Sequence, residues 1–197
     1  MDADAAGGAP VDPIIEIVVE LLDTQGYEAV QLREVARRAR VSLATIYKRY
    51  ATRDELIVAA LESWMDANRY ANLPSPAKAA RDGESLYADV MRVLRTIFEP
   101  WEQHPLMLRS YFRARSGPGG DRLIQRGVDA VVPVTKSILA QVDSAYASDL
   151  ELILTGVVFG FLGRFAQGEI DVTEIVPGIE RAVFWLTAAY NKRATAQ

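Results

Sequence analysis

A short segment in the N-terminal third carries the residue types that bind nucleic acid. Residues 31–53 hold seven basic side chains and one acidic one, a net charge of +6, whereas the 197-residue chain as a whole has a net charge of -4. Binding to phosphates needs a local concentration of positive charge rather than a basic average. Charge alone would fit a solvated helix face equally well, so the assignment needs a second feature.

The residues on which most enzymes depend are scarce. The chain has no cysteine and a single histidine, His104, which excludes thiolate chemistry and leaves only His104 for a Ser-His-Asp triad. Because His104 precedes Pro105, its expected role is to begin a helix. No glycine-rich phosphate loop or carboxylate cluster at metal-binding spacing is visible. The sequence therefore predicts no enzymatic activity, no cofactor and no metal site.

Apolar positions recur at spacings of three and four nearly throughout the chain, without runs of strict alternation. This pattern predicts an all-α fold of about nine helices. Residues 1–11 are mostly small and acidic, which predicts a disordered arm and does not resemble a signal peptide. The longest apolar stretch, residues 150–165, is interrupted by Glu151 and Arg164. We therefore expect no membrane span and a cytoplasmic protein.

The N-terminal part contains the signals of four successive helices, with Gly26 as a stop after the first. The helix starts are predicted at Asp12 with Pro13, at Ser42, and at Thr52 with Glu55 as a capping box. Residues 32–39 and 43–49 then form two short helices around a turn of about three residues. This is the form of a helix-turn-helix motif, whose second helix enters a major groove about 12 Å wide.

Four sequence stretches occur here in order, separated by four, four and two residues: Gly26-Tyr27, Leu32-Arg-Glu-Val-Ala36, Val41-Ser-Leu-Ala-Thr-Ile-Tyr47 and Tyr50-x-x-Arg-x-Glu-Leu56. Together they resemble the DNA-binding domain of the TetR (tetracycline repressor) family, over about residues 13–60. The resemblance implies a chain divided into an arm (1–11), a helix-turn-helix domain (12–60) and a domain for ligand binding and dimerisation (61–197).

The resemblance also implies roles for residues of the motif. Ser42 and Thr45 would reach bases or nearby phosphates, while Tyr47 and Arg53 would hold phosphates. The full set of expected DNA contacts is Arg33, Ser42, Leu43, Ala44, Thr45, Tyr47, Lys48, Arg49 and Arg53.

The chain departs from the family pattern at three places. Arg40 stands where glycine is usual, which would cost about 1 kcal/mol if its φ is positive. The arm has no basic residue, so it is not expected to enter the minor groove. Leu43 and Ala44 replace polar residues or glycine, and could either contact a thymine methyl group or be partly buried.

For the C-terminal half, the resemblance implies a ligand cavity within the central helices and a dimer formed mainly by the last two. The cavity candidates are Met91, Phe98, Trp101, Met107, Tyr111, Phe112 and Phe159, although such residues form core more often than pocket. Arg109, Arg113 and Arg115 could instead meet an anionic ligand, but exposed surface is their commoner role. The candidates for the dimer interface are Gly156, Gly160, Gly163, Ile175, Ile179, Val183 and Leu186, unless the glycines pack inside one chain.

The expected function is that of a ligand-responsive repressor. A homodimer would bind a pseudo-palindromic operator in double-stranded DNA, because each motif reads only a half-site. A small apolar or aromatic effector would release it. The alternatives are an activator of the same fold, a DNA-binding protein that needs no ligand and, least favoured, an all-helical enzyme.

Overall fold

The computed structural model describes residues 12–81 and 83–194 of the chain. Within these residues there is no strand, and nine α-helices confirm the predicted all-α fold. Their bounds are α1 Pro13–Thr24, α2 Leu32–Ala39, α3 Leu43–Arg49, α4 Arg53–Met65, α5 Leu86–Gln103, α6 Pro105–Arg115, α7 Asp121–Leu139, α8 Ser144–Ala166 and α9 Ile175–Ala194. A π-helical turn, Asp66–Tyr70, continues α4. The predicted arm lies outside the described residues.

Side-chain caps set the starts of the N-terminal helices as predicted. The Asp12 carboxylate and the Ser42 and Thr52 hydroxyls each accept a hydrogen bond from an amide of the first turn, at 3.0 to 3.1 Å. The capping box at α4 is only half formed as predicted. Its Glu55 carboxylate accepts from the amide of Ala51, at 2.8 Å, rather than from that of Thr52.

The helix α4 joins the two parts of the molecule. Its buried residues lie on all sides, including Leu56, Ile57 and Val58 near its start and Trp64 and Met65 near its end. A helix that is apolar all round is buried on all sides. The first of these residues lie in the core of the α1–α3 unit, and the last reach the body, so α4 can transmit a displacement from one to the other.

The body is built from α5 to α9. Pro133 lies inside α7, and the helix runs through it without a break. The last two helices pack closely at Gly178 of α9, where an added Cβ atom would overlap the ring of Phe161 of α8. A side chain at position 178 would therefore displace the Phe161 ring.

Among the described residues, α8 alone is long and apolar enough to cross a membrane by length and composition. Its most apolar window has a mean hydropathy of 1.5, and only 11% of that window is buried inside the chain. One helix that passes this test does not show a membrane span, so the expectation of none stays a prediction. An apolar helix exposed to this extent needs a covering surface from outside the chain.

Candidate DNA interface and internal cavity

The turn between α2 and α3 is made by a strained residue. Arg40 has φ 53° and ψ 40°, in the left-handed region, and among the described residues it is the only non-glycine with positive φ. Its amide still bonds back to the last turn of α2. The departure noted in the sequence thus carries the expected cost of about 1 kcal/mol.

The outer face of α3 presents small and hydroxyl-bearing side chains. The hydroxyl oxygens of Ser42 and Thr45 lie 2.9 Å apart at the start of the helix, and both residues are exposed with Ala44. Tyr47, further along, is 54% exposed. Leu43 is half-buried against the core, which favours the second of the two alternatives left open for it.

Internal ion pairs neutralise part of the basic segment. Arg37 and Arg38 donate to the carboxylate of Glu34 at 2.6 to 2.9 Å. These hydrogen bonds lower the pKa of Glu34 to about 2, so the carboxylate stays ionised at neutral pH. The guanidinium of Arg49 pairs with Asp12, the cap of α1, with an Nη2–Oδ2 distance of 2.7 Å.

Three basic side chains near the motif remain available for phosphates. Arg33, Arg40 and Lys48 are exposed and form no ion pair with any residue that the structure describes. Sequence analysis singled out Arg33 and Lys48 as DNA contacts, and the structure leaves both free for that role. The structure adds Arg40, whose place in the turn puts its side chain beside α3.

Arg53 has a task inside the protein. Its Nε donates to the carbonyl of Val30 and its Nη2 to the carbonyl of Tyr27. Its guanidinium carbon also lies 4.7 Å from the centre of the Tyr27 ring. These contacts hold the segment between α1 and α2 against the start of α4. The phosphate contact expected from Arg53 stays a prediction, and its side chain is only 30% exposed.

An apolar cavity of about 320 Å³ lies in the body, between the end of α4 and α5 to α8. Four of the expected ligand-binding residues line it: Phe98, Trp101, Tyr111 and Phe159. The other three do not. Met91 and Met107 are buried in the core, and Phe112 packs against it.

Two parts of the cavity wall were not among the ligand-binding residues expected from the sequence. One is the face of α7, including Val128 and Val131, whose apolar spacing is that of any core helix. The other is Arg69 in the π-helical turn, which is only 7% exposed. Its Nε donates to the carbonyl of Ile97 at 2.8 Å, and its Nη1 to the hydroxyl of Tyr70 at 3.2 Å. The arginines considered from the sequence, Arg109, Arg113 and Arg115, are absent from the wall.

Aromatic and charged contacts join the cavity wall to the helix-turn-helix unit, which comprises α1 to α3 and the start of α4. Trp101 of the wall stacks on Trp64 of α4 with ring centres 4.6 Å apart. His104 lies at the start of α6, as expected, and its Nδ1 is 2.7 Å from Oδ1 of Asp23 in α1. A change in the shape of the cavity therefore has a short path to α1 and α4.

The outward face of α8 and α9 is apolar and uncovered. Nothing lies within 4 Å of a Cβ atom built on Gly156, Gly160 or Gly163, so these glycines do not pack inside the chain. Beside them Leu152 of α8 and Trp185 of α9 are 74% and 70% exposed.

The α9 residues expected at the dimer interface lie elsewhere. Ile175, Ile179 and Val183 are buried inside the chain, and Leu186 is half-buried. Their spacing of four marks the stripe of α9 that faces α5 and α8, which is why the sequence pattern made them conspicuous. The outward apolar side chains of α9 are instead Phe184 and Trp185.

Two family models match the chain. Residues 14–60 match the model described as "Bacterial regulatory proteins, tetR family", and residues 83–186 match "Tetracyclin repressor-like, C-terminal domain". The first covers the helix-turn-helix unit, and the second covers most of the body, which is more than half of the chain.

Relatives of this chain agree with the family models. The HTH-type transcriptional repressor KstR of Rhodococcus jostii (strain RHA1) is 30% identical over 101 residues, which are 51% of this chain and 45% of that protein. The chain thus matches about half the length of this curated relative.

Two solved structures share the fold. A TetR transcriptional regulator from Rhodococcus sp. RHA1 is 19% identical with a TM-score of 0.59, over 88% of this chain and 93% of that one. A TetR-like regulator from the same source is 20% identical with a TM-score of 0.56, over 87% and 92%. With both domains matched and the fold shared, the chain belongs to the TetR family of bacterial transcriptional regulators.

Proposed function

We propose that this protein is a cytoplasmic repressor that binds a pseudo-palindromic operator as a homodimer and leaves it when a small molecule fills the cavity. The observation that carries the proposal is one helix, α4, which begins in the helix-turn-helix unit and ends at the cavity. The Rhodococcus jostii relative is a transcriptional repressor by name, which supports repression here.

DNA would be read by the outer face of α3. The hydroxyls of Ser42 and Thr45 and the methyl group of Ala44 can approach base edges in the major groove. Tyr47, Lys48 and Arg33 are exposed around them and can hold the phosphates that position the helix.

The homodimer would form through the uncovered face of α8 and α9. Glycines along α8 allow close approach of a second copy, and Phe184 and Trp185 supply apolar area at its side. Burial of this face in a two-fold dimer would also explain why α8 is so apolar and so little covered within one chain.

Ligand binding would act on the spacing of the two copies of α3. A dimer reads half-sites about one helical turn of DNA apart, roughly 34–36 Å, so a modest shift of α4 in each copy lowers affinity. A ligand drives this shift only if it binds the shifted conformation more tightly. The cavity also favours a ligand-responsive protein over a DNA-binding protein without a ligand. In the latter, side chains would fill the interior of the body.

The proposed dimer is tested by Trp185→Asp in the full chain. We expect sedimentation of the unchanged protein as a dimer, and of the variant as a folded monomer that binds the operator at least tenfold more weakly. Gln141→Asp, in the exposed turn between α7 and α8, adds the same charge outside the two helices of this face and should stay dimeric. A Trp185→Asp variant that remains dimeric would contradict the proposed interface.

Repression is tested by transcription in vitro from a promoter that overlaps the operator. Added protein should lower the transcript level, and the Trp185→Asp variant should not. An increase in transcript over the same range of protein concentration would identify an activator instead.

A further inference from the structure

Arg69 is a buried cation that has no counter-charge among the residues that the structure describes. No carboxylate of the described residues lies within 4 Å of its guanidinium, and Asp66 on the same turn is paired with Arg126. Burial lowers the pKa of Arg69, the direction expected when a charge is removed from water. A buried unpaired charge is strongly unfavourable, so such a charge is rare unless it has a functional role.

Aromatic rings hold this cation in place. The guanidinium carbon lies 4.6 Å from the ring centre of Trp101, 5.1 Å from that of Tyr70 and 5.9 Å from that of Phe98. Cation–π contacts of this kind stabilise a charge without neutralising it. The protein thus keeps Arg69 charged and in a fixed orientation.

Part of the guanidinium is left for another partner. Its Nε and Nη1 have hydrogen-bond acceptors, the carbonyl of Ile97 and the hydroxyl of Tyr70, whereas Nη2 has none among the described residues. Arg69 belongs to the wall of the cavity, whose remaining lining is mostly aliphatic and aromatic. The one carboxylate in that lining, Glu151, is exposed on α8 and forms no ion pair with Arg69.

We propose that the effector is an apolar monocarboxylate whose head group binds Arg69 and whose body fills the cavity. A carboxylate matches the planar fork of a guanidinium and supplies the negative charge that Arg69 has no partner for. A cavity of about 320 Å³ is at the small end of ligand sites, which span roughly 300–1,000 Å³, and suits a medium-length chain or a compact ring. This inference rests on the proposed function, in which the cavity binds the effector.

The position of Arg69 also supplies the regulation. It lies in the π-helical turn that ends the helix α4, and such turns are frequent at functional sites. A carboxylate drawn to Nη2 would act on this turn directly, and α4 would carry the displacement to the helix-turn-helix unit.

The inference is tested first on the unchanged full chain, by calorimetric titration with decanoate, decanol and decylammonium. The two ions are kept below their micelle concentrations and decanol below its solubility limit. These probes share the alkyl chain and differ in the charge of the head group. We expect decanoate to bind about tenfold to a hundredfold more tightly than decanol, and decylammonium to bind most weakly. Equal binding of decanoate and decanol would overturn the role of Arg69 while supporting an apolar effector cavity.

A pair of variants assigns the preference to the residue. Arg69→Met should remove the preference for decanoate and leave decanol binding equal or tighter, with folding checked by thermal unfolding. Arg95→Met removes a charge from the exposed side of α5 and should behave as the unchanged protein. A preference for decanoate that survives Arg69→Met would overturn the inference, as would binding of neither probe to the unchanged protein. The proposed function is judged separately, by operator binding and dimerisation.

Discussion

The guanidinium carbon of Arg113 lies 4.8 Å from the centre of the Tyr27 ring, a contact between the body and the helix-turn-helix unit. Arg113 belongs to α6, which also supplies Tyr111 to the cavity wall. Tyr27 is itself anchored to α4, because its hydroxyl donates to Asp54 at 2.8 Å. One helix of the body therefore contacts both the cavity and the segment that precedes the helix-turn-helix motif.

A double-mutant cycle with Arg113→Met and Tyr27→Leu should give a coupling free energy of about 0.5–1 kcal/mol, the size of an exposed cation–π contact. The measurement is the free energy of unfolding in urea for the four proteins. Arg113 also forms an ion pair with Glu28, and Arg113→Met removes that pair too. Glu28→Gln is therefore the control, because it removes the ion pair and leaves the Tyr27 ring in place. Additive effects of the two substitutions would show that the contact contributes no stability.

Arg53→Met should destabilise the protein by about 1.5–3 kcal/mol, because it removes charged hydrogen bonds to the carbonyls of Val30 and Tyr27. Urea unfolding measures this loss. DNA binding by the variant, measured where it is still folded, tests the predicted phosphate contact separately. An unfolding free energy within about 0.5 kcal/mol of the unchanged protein would contradict the structural role.

Lys48→Met should weaken DNA binding and leave the stability of the protein nearly unchanged. Lys48 is exposed, so stability should change by less than about 0.5 kcal/mol. Binding to operator and to unrelated DNA should weaken by similar factors, and the salt dependence should become shallower by about one unit of slope. Titrations at a series of salt concentrations test this, and an unchanged slope would remove Lys48 from the set of phosphate contacts.

Arg40→Gly should raise the free energy of unfolding by up to about 1 kcal/mol, because glycine adopts φ 53° without a steric penalty. Arg40→Ala removes the same side chain and keeps the penalty, so it should give no gain. If both variants are equally stable, the left-handed backbone at this position stores no strain.

Thr45→Ala should change which bases are preferred, because the Thr45 hydroxyl lies on the exposed face of α3 beside that of Ser42. Tyr47→Phe is the comparison, and it should weaken binding to all DNA sequences alike by removing a phosphate contact. Selection from random DNA with each variant measures both effects. An unaltered base profile for Thr45→Ala would exclude Thr45 from base reading.

Local features were predictable because they depend on neighbours in the sequence. The caps at Asp12 and Ser42, and the strained backbone at Arg40, each depend on a residue type and its near surroundings. Partners that are distant in sequence were beyond such reasoning. The carbonyls that occupy Arg53 lie 23 and 26 residues away, and the acceptor of Arg69 Nε lies 28 residues away.

Periodicity shows that a helix has an apolar stripe and does not show what covers it. Ile179 and Val183 form the regular stripe of α9 and are buried in the chain, whereas the uncovered Phe184 and Trp185 stand beside that stripe. Similarly, Phe98 lines the cavity and Met91 of the same helix does not, although both are buried and apolar.

We propose that a dimer of this chain reads a two-fold symmetric DNA sequence through α3. Selection from a random pool of double-stranded DNA, followed by titration of the selected sequence across a salt series, tests it most directly. We expect a pseudo-palindrome with half-sites about one helical turn apart, bound more tightly than unrelated DNA by a factor of about a thousand or more. No enrichment, with only weak and salt-sensitive binding, would contradict it.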